Sequence, residues 1–135
     1  MKETRTRKTK HAQSVERNSR SHRRFALLAA REAEQVLHLF EQEHPKDKRP
    51  RQAIEAIRAW AQGARALSMA EVRRLSLGSH AAARGAKSDA ARFAARAAGH
   101  AVASWHVPTH AMGAPIYAGK AVIASMSTRL KRPAD

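Results

Sequence analysis

Histidine is the residue type in this chain most able to do chemistry, and it is clustered near the end. His106 and His110 stand at the i, i+4 spacing that presents two imidazoles to one zinc ion when both ride a continuous helix. Pro108 lies between them and marks a helix start, so the two rings are not expected to share a face. No Asp or Glu falls between Asp89 and Asp135, which leaves no carboxylate nearby to complete or orient such a site. His106 and His110 are therefore the metal candidates the sequence offers, yet no metal and no other cofactor is expected. Further back, His80 and Arg84 share a helix face one turn apart. With His100 from the following helix they could line a small polar pocket.

The same shortage of acids limits catalysis. The last third of the chain cannot supply the carboxylate pair that acid–base chemistry uses. The earlier acids Glu32, Glu34, Glu41 and Glu55 are spaced as on solvated helix faces, where they pair with Arg and Lys. The chain has no Cys, which removes disulfides, thiolate zinc sites and thiol nucleophiles together. The expectation is a binding protein rather than an enzyme.

Charge points to acidic partners. The formal net charge is +15 over 135 residues. Lys2, Arg5, Arg7, Lys8, Lys10, Arg17, Arg20, Arg23 and Arg24 crowd the start against Glu3 and Glu16. They account for less than half of the excess, so the remainder is basic in its own right. Residues 1–20 hold too few aliphatic side chains to offset the entropy of ordering, and a disordered basic arm is expected there. Such an arm gains affinity for phosphate backbones by counterion release. Arg5, Arg7, Lys8, Lys10, Arg17, Arg20, Arg23 and Arg24 are thus the candidates for a non-specific nucleic-acid contact. Sequence-specific reading is not expected: the passage Ala59–Leu75 resembles a helix-turn-helix only loosely, and its second helix has few side chains suited to base edges. No apolar run approaches the roughly 18 residues of a membrane span, and no signal-peptide core precedes the arm, so a cytoplasmic location is expected.

The elements that must position these residues are helices. Aromatics make up only 4% of the chain, and Ala dominates from Ala81 to Ala103, so a core of small aliphatic side chains on strong helix formers is expected. An all-α fold follows: one Ala-rich bundle of about five helices over residues 21–130, with a frayed tail at 131–135. The first helix should begin near Ser21 and bury Phe25, Leu28, Ala29, Ala33, Val36 and Phe40. The second starts around Pro50, runs to about Gly63, and presents Arg51, Glu55, Arg58 and Gln62 opposite Ala53, Ile57, Trp60 and Ala64. Ser68 and Glu71 form a capping box for the third, and Ser88 caps the fourth. Pro108 starts the fifth, which Pro115 should kink.

Several stretches on these helices resemble a known family. They are Arg49-Pro50-Arg51-Gln52-Ala53-Ile54-Glu55-Ala56 with Trp60, His80-Ala81-Ala82-Ala83-Arg84, Ala97-Ala98-Gly99-His100-Ala101, Trp105-His106-Val107-Pro108-Thr109-His110-Ala111, and Tyr117-Ala118. Together they are similar to the immunity-protein-five-like domain of bacterial polymorphic toxin systems, over roughly Phe25 to Ala124. The resemblance implies an all-helical fold that neutralises a cognate protein toxin by binding, without catalytic residues. Arg51, Glu55, Arg58, His80, Arg84 and His100 are the candidate partner-binding residues. Inhibitors of nucleases commonly imitate phosphate with acidic surfaces, so a basic member implies a toxin that is itself acidic or of another activity.

Overall fold

A computed structural model describes residues 16–131, and Arg5, Arg7, Lys8 and Lys10 of the expected arm lie outside the described residues. Among the described residues five α-helices follow one another: α1 (Arg20–Glu41), α2 (Arg49–Ala61), α3 (Met69–Arg84), α4 (Asp89–Ala103) and α5 (Gly113–Lys131). A 3₁₀ turn, Pro108–Met112, leads into α5. The all-helical bundle expected from the alanine content is the fold observed.

Each boundary has a local chemical cause. Ser19 caps α1 by accepting from the His22 amide. Helix α2 ends in a Schellman motif: Gly63 sits at φ +77°, its amide donates to the Trp60 carbonyl, and the Ala64 amide donates to the Ala59 carbonyl. That early stop leaves Ala64 exposed in a loop, although its spacing places it on the core side of a longer helix. Ser68 accepts from the Glu71 amide at 3.1 Å, and the Glu71 carboxylate returns to the Ser68 hydroxyl rather than to its amide. Ser88 caps α4 and donates its hydroxyl proton to Glu43 at 2.6 Å, tying the α1–α2 connection to the start of α4. Pro115 is the third residue of α5, where backbone N–H groups lack an intrahelical partner. It therefore removes no hydrogen bond, and the expected kink has no cause.

Helix α4 is the centre of the molecule and packs against all four other helices. It buries Ala90, Ala91, Ala94, Ala95, Ala97, Ala98, Gly99, Ala101 and Val102, covering nearly its whole circumference. A helix can be surrounded in this way only if it is apolar all round, and small side chains let its neighbours approach closely. Around it, Val36, Leu37 and Phe40 of α1 and Ile54, Ile57 and Trp60 of α2 supply the bulk that alanine lacks.

The α1 stripe departs from expectation at its start. Ala29, Ala33, Val36 and Phe40 are buried, whereas Phe25 and Leu28 are 42% and 47% exposed. Their place facing α4 is taken by Ala26 and by His22, which is fully buried. His22 Nδ1 accepts from the Asn18 amide at 2.8 Å, so the proton is on Nε2, which donates to the Ser104 carbonyl at 2.6 Å. Burial, with Arg17 and Arg23 nearby, lowers its pKa and keeps the ring neutral. A neutral imidazole thus locks the start of α1 to the end of α4.

Candidate functional site

The histidines converge where α3, α4 and the entry to α5 meet. His80 comes from α3, Arg96 and His100 from α4, His110 from the 3₁₀ turn and Tyr117 from α5. The His80 and His100 rings meet edge to face, 5.5 Å between centroids. Tyr117 stacks on His100 at 5.0 Å and 17°, and the His110 ring lies 6.0 Å from His100 on another side. Two glycines make room. A Cβ on Gly99 would fall 2.7 Å from the His80 ring, and one on Gly113 would fall 2.6 Å from His100 Nδ1. Each imidazole therefore occupies the space that a side chain on the neighbouring helix would need.

The electrostatics favour neutral rings at His80 and His100. Arg96 Nη1 is 2.8 Å from His80 Nδ1. A guanidinium only donates, so Nδ1 is the acceptor and the His80 proton rests on Nε2. Burial first, then the charge of Arg96, lowers the His80 pKa to about 4. His100 is lowered as well, by burial, His110 and Arg96 in that order. A group with such a pKa is a poor general base near neutrality. Its orienting partner is also a cation rather than the carboxylate that would raise its basicity. The geometry is that of a polar clamp joining three helices, with a partly open edge.

Of the expected pocket, His80 and His100 are brought together while Arg84 stays exposed at the end of α3, close enough for its charge to act on His80. Arg96, Tyr117 and the glycine floors were not foreseen. Gly99 and Tyr117 do lie in the stretches that carry the family resemblance, and one-turn spacing links Arg96 to His100 and Gly113 to Tyr117. His106 and His110 are both exposed and border a shallow pocket with Met69, Val72 and Leu77. Among the described residues no group of three or more His, Asp or Glu is placed to hold a metal ion.

The second set of candidates lies on the α1–α2 face. Arg51 grips Glu41 through two bonds, Nε to Oε2 at 2.7 Å and Nη2 to Oε1 at 2.5 Å, and Glu55 lies 3.8 Å away. Arg58 pairs with Glu34 at 2.5 Å. These paired cations are staples between α1 and α2. Two of the arm candidates are likewise engaged with the bundle. Arg23 stacks on Trp60 at 4.4 Å and donates to its carbonyl, and Arg17 lies 5.4 Å over Trp105. Arg20 and Arg24 are exposed.

Apolar surface is the remaining feature. Phe25, Leu28, Pro108, Met112 and Pro115 line an open groove of about 510 Å³ between α1 and the entry to α5. Beyond it α5 exposes Ile116, Val122, Ile123, Met126 and Leu130. Among the described residues no helix is long and apolar enough to cross a membrane.

Comparison with known proteins supplies one match. A search of curated proteins and a search of solved structures return none. The family model described as Imm-5 like putative immunity protein matches residues 16–132, a span that takes in the Ser19 cap, all five helices and the histidine clamp. The chain belongs to that Imm-5 like immunity protein family.

Proposed function

We propose that the bundle neutralises a cognate protein toxin by binding it, without catalysis. The observation that carries this reading is the family match over the whole described fold. The low basicity of the His80–His100 clamp also favours binding over chemistry, as does the absence of a carboxylate partner for it among the described residues. Arg51, Glu55, Arg58, His80, Arg84 and His100 are the proposed polar contacts, with the exposed Arg84 and Glu55 standing proudest. The excess of cations fits an acidic toxin surface. The test is co-expression with candidate toxins drawn from the genes that neighbour this chain's gene. A stoichiometric complex and restored growth are expected with one of them; a set in which none co-purifies or loses potency overturns the reading. Charge reversal of Arg84 together with Arg51 and Arg58 should weaken the complex, and an interaction that survives it excludes that surface.

The cations of residues 1–24 support a second reading, in which they bind phosphate backbones non-specifically. DNA and RNA are then bound alike, and affinity falls steeply with salt. Removing residues 1–20 should abolish this binding, and removing residues 1–15, which leaves the Ser19 cap and Arg17, Arg20, Arg23 and Arg24 in place, should weaken it. Equal retention by the shortened chain at moderate salt rules it out.

A further inference from the structure

Helix α5 buries Ala114, Ala118 and Ala121 against the bundle and leaves a second apolar face without a partner among the described residues. Ile116, Gly119, Ile123, Met126 and Leu130 recur at alternating spacings of three and four, the seam that one helix offers to another. All five are exposed, Leu130 to 84%. Gly119 has open space around it, so nothing within the fold requires a glycine there. A glycine in the middle of a solvent-facing seam lets another backbone come close. The groove of Phe25, Leu28, Met112 and Pro115 continues this face towards α1 and is deep enough for a large side chain.

Charge decides what fits. The positions flanking the seam hold Lys120 and Arg129, and Arg24 and Arg31 flank Phe25 and Leu28 on the exposed side of α1. Between Ala90 and Lys131 there is no carboxylate, and Glu32 at the edge of the groove is the acid among its lining residues. A second copy of the chain would set Lys120 and Arg129 against the same cations, which disfavours self-pairing. An anionic bilayer would be drawn by the same cations, but it is a flat surface that leaves the groove between α1 and the entry to α5 unfilled. We infer that this face docks an amphipathic helix of a partner protein whose apolar stripe is flanked by Asp or Glu.

The inference deepens the toxin-binding reading by naming the surface and the chemistry of what it grips, and it rests on that reading only for the partner's identity. It is tested with the full chain and a designed helical peptide of about three heptads, carrying Leu and Ile on its seam and Glu on both flanks. A second peptide carries Lys in place of Glu. The Glu-flanked peptide should bind at least tenfold more tightly, about 1.4 kcal/mol. Lys120→Glu with Arg129→Glu should invert that preference. Ile123→Asp should abolish binding of both while leaving the helical circular dichroism intact. The inference is overturned if neither peptide binds, or if both bind equally. It is also overturned if sedimentation shows a dimer that Ile123→Asp dissolves, or if phosphatidylserine vesicles are bound and the peptides are not. A toxin complex that survives Ile123→Asp removes this surface and leaves the toxin reading standing. Peptide binding by a chain that ignores the toxin does the reverse.

Discussion

Gly99 and His80 show how much a single hydrogen atom can decide in this molecule. Any side chain at Gly99 must displace an imidazole held by Arg96, so Gly99→Ala is expected to destabilise the fold by about 1–3 kcal/mol despite the better helix propensity of alanine. Urea unfolding measures this, and pairing the change with His80→Ala should recover much of the loss, because the clash then has no second party. The histidines also set a pH dependence. His22, His80 and His100 all have lowered pKa values, so below the ordinary value of 6.5 the unfolded chain binds protons that the folded chain refuses. Stability should be flat above about pH 6.5 and should fall as the pH drops towards 4, where His80 itself becomes protonated. Thermal melts across that range check the sign, and a melting temperature that rises on acidification contradicts it. His80, Arg84 and His100 could be picked out from sequence because helical spacing reports which residues share a face. Arg96 and Tyr117 could not, because spacing does not report which face of another helix lies opposite.

At the scale of elements, period and propensity located all five helices, and the departures lie where a helix meets something other than the core. Phe25 and Leu28 repeat in step with the α1 stripe, yet His22 and Ala26 occupy the buried positions. Hydrophobic periodicity registers an apolar face without saying whether the chain's own core or another molecule covers it. Pro115 misled for a related reason: its effect depends on whether a helix starts two residues earlier or seven, and the intervening 3₁₀ turn settles that. On α5, Gly119 faces open space in mid-helix, so Gly119→Ala should raise stability by about 0.5–1 kcal/mol. Chemical denaturation reads the gain, and a loss instead would mean that the glycine serves the isolated fold after all.

For the molecule as a whole, alanine supplies the helices but little core volume, and the arrangement answers by wrapping four helices round a fifth that is almost all small side chains. Composition foretold an Ala-rich bundle of about five helices but not which helix the others surround; nor could it foretell that a neutral histidine would join the start of α1 to the end of α4, because a buried His22 looks like any other polar residue until the Ser104 carbonyl is seen opposite it. The distribution of burial along α5 carries one more consequence. Among the described residues none after Ala121 is fully buried, so the last turns have little packing beyond the half-buried Ala124 and Ser125, while the first turns are clamped through Tyr117 and Ala118. Short unsupported helix is marginal in water. Amide protons beyond Val122 should therefore exchange with deuterium far faster than those of α4, whose protection should approach that of global unfolding. A partner that lies along this segment would announce itself by slowing exchange there first, so that a mass spectrum could map the contact before any complex structure is in hand.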